Sequence, residues 1–360
     1  MPRTYSFRNP NAEVLRWHPE LREGELESDY FELIWNDIHL QEGYQIGLGF
    51  FARPPAYYER VDRWKEEWEG HRERSNWPAV ELHIAGPDEK MHTAVKSFPP
   101  ESFQPKPWGV TLGDNAFDGI LTPKGMPNSY HIRTALGDIG VDLEAKVIAG
   151  GVRFVEDEHG YSYYNPVKNR ALGWWPLVGR SEVSGIITVE GKPIKVSGLA
   201  YCERQLGNLP SSTQSGQAWH FWGHFFAGEY SAVWTDSASS EHFNYRHFTP
   251  LVLWKGNEVL LSTFQSACYA ERFGPDSDGV PYPTVESLKA SDGITELTAQ
   301  LVNGKLISRM GAYHRQYSEA HVQIKRWGET TEVSGSSTHE WNCAPEWFPG
   351  VFDKTFRSGV

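Results

Sequence analysis

Apolar and polar residues exchange places along most of this chain with a period of two, in short runs rich in Val, Ile, Thr, Tyr, Phe and Trp. That is the signature of half-buried strands. Clear cases are YFELIW (30–35), YQIGLGFF (44–51), AVELHIAG (79–86), SGIITVEG (184–191), IKVSGLAYCE (194–203), SAVWTD (231–236), EVLLSTF (258–264) and AHVQIKRW (320–327). Turn dipeptides punctuate them: Glu42-Gly43, Glu190-Gly191, Lys255-Gly256 and Asn303-Gly304, the last a strong hairpin signal. Many strands at short spacing predict antiparallel barrels or sandwiches, an all-β chain without a βαβ core.

One stretch breaks the period. AYYERVDRWKEEWEGHRERS (56–75) follows Arg53-Pro54-Pro55 and places Val61, Trp64 and Trp68 on one stripe of an otherwise charged segment. The pattern predicts a single inserted helix over 56–75, either plugging a barrel end or covering a ligand mouth.

The polar segment GNLPSSTQSGQ (207–217) separates two strand-rich halves and predicts domains over 1–212 and 213–360. VSGLAYCE (196–203) and VSGSSTHE (333–340) share Val-Ser-Gly and a glutamate five residues after the glycine. Each lies near the end of its half, which suits a duplicated barrel whose closing strand carries a glutamate.

Composition changes the picture in one respect. Aromatic residues reach 14% with 15 Trp, more indole than a core needs, and such a surplus lines a ligand cavity or an interface, or simply packs an aromatic-rich β-protein. The formal charge of −12 lacks the basic footprint of a nucleic-acid binder. Three scattered cysteines (Cys202, Cys268, Cys343) without a CxxC argue against a disulfide framework and a structural zinc. With no apolar leader and no long apolar run, a cytoplasmic protein without membrane insertion is expected. Oligomeric state is not encoded in any of these features.

Phosphate loops, nucleophile elbows and HExxH motifs are missing, so no cofactor is expected. His220 and His224 would stand about 13 Å apart on a strand, too far to share a metal. Alternation in GLAYCERQLGN puts Tyr201, Glu203 and Gln205 on one face and Ala200, Cys202 and Arg204 on the other. If the first face lines a cavity, burial raises the Glu203 pKa and makes it a proton donor near neutral pH. The alternative is a rim glutamate paired with a basic residue. AWHFWGHFF (218–226) is aromatic on both faces, as expected of a strand buried on both sides, and Trp222 could face a carbocation or serve as core packing.

The segment GWWPLVGRSEVSGIITVEGKPIKVSGLAYCERQLGN (173–208), followed by AWHFWGHFF, resembles the hydroxyneurosporene synthase (carotenoid hydratase) family, whose relatives include kievitone hydratase and fungal decalin-forming Diels–Alderases. SDYFELIWNDIHLQEGYQIGLGFFARP (28–54) and VTLGDNAFDG (110–119) resemble it too. The resemblance implies two lipocalin-like β-domains and alkene protonation by the motif's tyrosine and acid, here Tyr201 and Glu203. The tryptophan of that family's His-x-Trp pair falls on Trp175, and its histidine on Gly173, a departure from the pattern. The expectation is a cofactor-independent lyase or isomerase hydrating or cyclising an isoprenoid-like alkene. The alternatives are a pericyclase acting on a polyene or a carrier of a hydrophobic ligand. Glu203 and Tyr201 are the catalytic candidates; Trp174, Trp175, Gln205, His220, Trp222 and Glu340 are the substrate-binding ones.

Overall fold

The computed structural model describes residues 6–8, 15–18, 30–55, 58–59, 61–155, 161–165, 170–208, 217–239, 243–277, 279–310 and 313–343. The chain divides into two compact units, Met1–Thr213 and Gln214–Val360. Most of the polar segment expected to separate them, 209–216, lies outside the described residues.

Each unit is built on one antiparallel sheet, of 12 strands in the first and 10 in the second. In the first, Met91–Ser97, Ala79–Ala85, Gln45–Arg53, Tyr30–Leu40, Lys192–Asn208, Arg170–Val189, Ile139–Gly150, Pro127–Leu136 and Asn115–Leu121 lie side by side in that order. In the second the order is Glu258–Thr263, Leu251–Lys255, Tyr230–Ser239, Gln217–Ala227, Glu329–Cys343, Tyr313–Arg326, Thr295–Met310, Pro281–Ser291 and Ser266–Pro275. The two orders are the same path. The earliest strand of each sheet pairs with its latest, and the others follow in sequence on either side. The architecture is all-β, as the strand pattern led us to expect, and double lipocalin-like, as the resemblance implied.

The repeated Val-Ser-Gly lies at matching points of this path. Gly198 pairs with Leu40 and Gly335 with Ala227, each on the strand that joins the latest element to the earliest. A side chain at either glycine would collide with the carbonyl oxygen of the strand it crosses, His39 or Phe226, so the close approach demands glycine. Five residues further, Glu203 pairs with Trp35 and Glu340 with Trp222.

The apolar set of each strand faces one way. In the first unit Ile34, Ile38, Leu48, Phe50, Val80 and Leu82 join a buried cluster that also takes in Ala200, Cys202 and Leu206. Each fully buried Leu, Ile, Val or Phe contributes about 1.5–3 kcal/mol. Because Ala200 and Cys202 face this core, Tyr201 and Glu203 occupy the other side of the sheet. Glu190 and Gly191, at φ of 52° and 73°, form the tight turn that sets this register.

Two expectations need correction. The helix is shorter than 56–75: an α-helix spans Asp62–Trp68 and a separate 3-10 turn spans Arg72–Asn76, while 56, 57 and 60 lie outside the described residues. The chain breaks at Gly70, whose φ of 70° no helix accommodates. Asn303-Gly304 is no hairpin turn either. It lies inside the Thr295–Met310 strand, at a register shift between Val302 and Lys305, because the strand continues past it with two residues set against the single Ser318.

Candidate functional site

Three strands converge on Glu203. Arg170–Val189 and Tyr30–Leu40 flank Lys192–Asn208, with Pro176 and Trp35 as the register partners of Glu203 and Trp174 as that of Gln205. Side chains paired across antiparallel strands share a face. The result is a row on the side of the sheet away from the apolar core.

Within that row Glu203 is buried, 2% exposed. Its Oε2 accepts hydrogen bonds from Trp174 Nε1 at 2.6 Å and the Tyr201 hydroxyl at 2.8 Å, and its Oε1 accepts one from Gln205 Nε2 at 2.6 Å. All three donors are neutral. Burial, reinforced by the adjacent Glu203 carboxylate, pushes the Tyr201 phenol well above its ordinary value and keeps it a proton-bearing donor. Donors aimed at a carboxylate favour its charged form. They therefore stabilise what remains after Glu203 gives up a proton.

Trp174 and Trp175 part company at this point. Trp174 reaches Glu203, whereas Trp175 turns to the opposite face, joins the apolar core and packs against His18 and Tyr161, with ring centroids 6.2 Å away in each case. The Trp175 ring folds back over Gly173, where an added Cβ would stand 2.6 Å from its Cζ2. A histidine has no room at that position while the tryptophan keeps this rotamer.

Arg204 shares the core face. It pairs with Glu32, which also binds the His18 ring at 2.8 Å and the Tyr30 hydroxyl. Burial would raise the Glu32 pKa, but Arg204 and His18 outweigh it and hold the carboxyl at about 2.

The site extends across the sheet through residues that the sequence reading did not single out. Trp35 stands opposite Glu203 and donates to Asp37 Oδ1 at 2.9 Å, and Asp37 stands opposite Tyr201. Gly47 and Gly49 make room for the Trp35 indole, since Cβ atoms there would lie 2.9 and 2.8 Å from its ring carbons. Beyond them Glu81 meets His83 Nε2 at 3.0 Å, Trp64 Nε1 at 3.2 Å and Arg63, and its carboxyl is held at about 2 because these partners, Arg63 foremost, overcome its burial. The Asp62–Trp68 helix therefore rests on this same face, further pinned where Trp68 Nε1 donates to Ser97 at 3.1 Å. The available signal was the alternate-residue Gly-x-Gly of YQIGLGFF, which on a strand clears one face twice in succession.

In the second unit the structure brings together His220, Trp222 and Glu340. Glu340 accepts from Tyr313, pairs with Arg315 and lies 3.6 Å from His220 Nε2. The Arg315 guanidinium sits 5.3 Å from the Trp222 ring centroid. Burial opposes ionisation of Glu340, but Arg315 and His220 lower its pKa below the ordinary carboxylate value. This glutamate is neutralised by the Arg315 guanidinium, which also engages the face of Trp222. Among the described residues no cluster of three or more His, Cys, Asp or Glu could hold a metal ion, and no helix is long and apolar enough to cross a membrane.

No protein-family model and no curated protein matches the sequence. Solved structures do match the fold. An AttH-type protein from Nitrosomonas europaea is 15% identical with a TM-score of 0.55, covering 87% of this chain and 92% of its own. Kievitone hydratase from Nectria haematococca is 11% identical with a TM-score of 0.53, covering 94% and 96%. CghA, a Diels–Alderase, is 12% identical with a TM-score of 0.53, covering 87% and 88%. At these identities the likeness establishes a common double lipocalin-like fold.

Proposed function

We propose that the chain is a cofactor-independent enzyme that hydrates or cyclises an alkene in a hydrophobic, isoprenoid-like substrate, with Glu203 as the proton donor. The observation that carries this reading is the buried Glu203 carboxyl with neutral N–H and O–H donors on both its oxygens. Protonating an unactivated alkene makes a carbocation, so the donor must be a strong acid, shielded from water and rigidly placed. A side chain on a central strand meets the placement requirement. The hydrogen bonds from Trp174, Tyr201 and Gln205 strengthen as negative charge develops on Glu203, which is where binding energy lowers a barrier. Trp35, laid flat over Gly47 and Gly49, offers an indole close to the developing cation. Water or an internal nucleophile then quenches the cation, and the proton it releases returns to the Glu203 carboxylate.

The fold shared with a hydratase and a Diels–Alderase supports chemistry on alkenes without choosing between protonation and pericyclic closure. One experiment separates them. The purified protein, stripped with chelator and without nucleotide, is screened against prenylated phenols, acyclic terpenoids and linear polyenes in deuterated, ¹⁸O-labelled water. Hydration adds both labels, proton-initiated cyclisation adds deuterium alone, and a pericyclic reaction adds neither. Glu203→Gln is expected to slow the reaction roughly 10²–10⁴-fold, the usual worth of general acid catalysis. Wild-type rates in that variant, or turnover without label, would overturn the proton-donor role. Binding without any turnover would make the protein a carrier.

A further inference from the structure

The second unit's interior contains Phe225, Trp234, Leu288, Leu301, Ala320 and Val322, but a group of buried polar side chains shares that face. Ser318 Oγ lies 2.7 Å from His339 Nε2, His339 Nδ1 lies 3.1 Å from Glu286 Oε2, and the Cys268 thiol lies 3.7 Å from the same oxygen. Gln316 is the register partner of His339.

Four atoms of this group make no hydrogen bond among the described residues: Gln316 Nε2, Gln316 Oε1, Glu286 Oε1 and, despite its closeness to Glu286 Oε2, His339 Nδ1. Gln316 is 0% exposed and Glu286 is 1% exposed. A buried polar atom left unpaired costs about 1–3 kcal/mol, so four in one place call for a partner. The backbone is shaped around them. The strand facing Ser318 bulges between Val302 and Lys305, and the one facing Glu286 shifts register at Ala270 and Arg272. In the first bulge is Gly304, where a Cβ would meet Gln316 Oε1 and stand 3.1 Å from Ser318 Oγ. The polar ends thus converge where the bulge carries no side chain, and the Gln316 amide takes the place a Cβ would fill.

We propose that the interior of the second unit binds a small ligand with a neutral hydroxyl head and an apolar tail. The head would accept from Gln316 Nε2 and donate to Gln316 Oε1 or Glu286 Oε1, while the tail would lie along Phe225, Leu288 and Leu301. A carboxylate head has no proton to donate to Gln316 Oε1 or Glu286 Oε1. This site is independent of Glu203, which belongs to the other unit.

The test titrates the full chain with 1-butanol, butyrate and butylamine, three heads on one tail, and follows the Gln316 side-chain amide and the Trp234 indole by ¹⁵N-resolved NMR. Butanol is expected to shift both resonances saturably, and butyrate is not. Gln316→Leu should abolish the butanol response. Gly304→Ala, whose methyl would displace the Gln316 amide, should weaken it at least tenfold. Preference for butylamine would overturn the neutral-head assignment. No saturable shift from any of the three, with Gln316→Leu more heat-stable than the parent, would mean that the amide is only an unpaired core group. If no probe binds and Gln316→Leu is no more stable, ordered water alone satisfies these atoms, and the proposal fails equally.

Discussion

Glu203 and Glu340 occupy one register position, each opposite a tryptophan of the earliest strand in its sheet, and differ in what surrounds them. Glu203 is met by an indole, a phenol and an amide, and Glu340 by a guanidinium, an imidazole and a phenol. Their substitutions should separate accordingly. Arg315→Met leaves a buried carboxylate without its main counter-charge and is expected to cost about 3–5 kcal/mol of stability, read by denaturant unfolding. Tyr201→Phe should leave the fold intact and slow the chemistry about tenfold, about 1.4 kcal/mol for a hydrogen bond to a charged group. A Tyr201→Phe variant as slow as Glu203→Gln would assign the tyrosine a larger part than support. Tyr201 and Glu203 were legible in the sequence because strand alternation fixes which neighbours share a face. Trp175 was not separable from Trp174 by resemblance alone, since adjacent residues on a strand face opposite ways and only the register decides which one reaches the carboxyl.

Elements, rather than single side chains, decide where the aromatic residues can lie. The Gly47/Gly49 pair lets the Trp35 indole lie against the Gln45–Arg53 strand, and Trp64 and Trp68 clamp a short helix beside it. Gly49→Ala would drive a methyl into the Trp35 and Phe51 rings, and overpacking of this kind costs about 1–3 kcal/mol. The expected result is lower stability together with a changed Trp35 emission; unchanged emission would mean that the ring is placed by something else. Trp64→Ala should cost about 3–5 kcal/mol, as removal of a large buried ring does. The helix itself was visible as a tryptophan stripe, but its end was not. Glu69-Gly70 reads as an ordinary charged-Gly pair until the backbone is seen to leave the helical region there. Asn303-Gly304 misled for the opposite reason, because residues suited to a turn also suit a bulge within an uninterrupted strand.

At the scale of the molecule, duplication was hinted at by four shared residues in two octapeptides and is expressed as one strand order used twice. The all-β class was legible because turn chemistry and alternation agree along the chain, while its double lipocalin-like form came from the family resemblance of the 173–208 segment. The buried charge networks were not, because no local pattern announces that Glu32 will meet Arg204 from far along the sequence. These networks set the response to acid. Glu32 and Glu81 each have a folded pKa of about 2 against an ordinary 4.5, so the unfolded chain binds more protons there than the folded one does. The stability they confer is full above about pH 4.5 and is lost as the pH falls towards 2, at most about 3 kcal/mol for each. Acid unfolding should begin in that window, and Glu32→Gln, though less stable at neutral pH, should show a flatter dependence between pH 4.5 and 2. An equal slope in that variant would show that Glu32 does not drive the transition.

The pairing of the earliest strand with the latest has a temporal consequence. During synthesis Trp35 leaves the ribosome long before Glu203, and the Tyr30–Leu40 strand must wait, one edge unpaired, until Lys192–Asn208 has emerged. Closing so long a loop is entropically costly and slows folding. The Glu203 carboxyl and the tryptophan facing it thus meet only in the step that completes the sheet, and a nascent chain stalled short of residue 208 would present an exposed strand edge, a template for aggregation, with the candidate site not yet assembled.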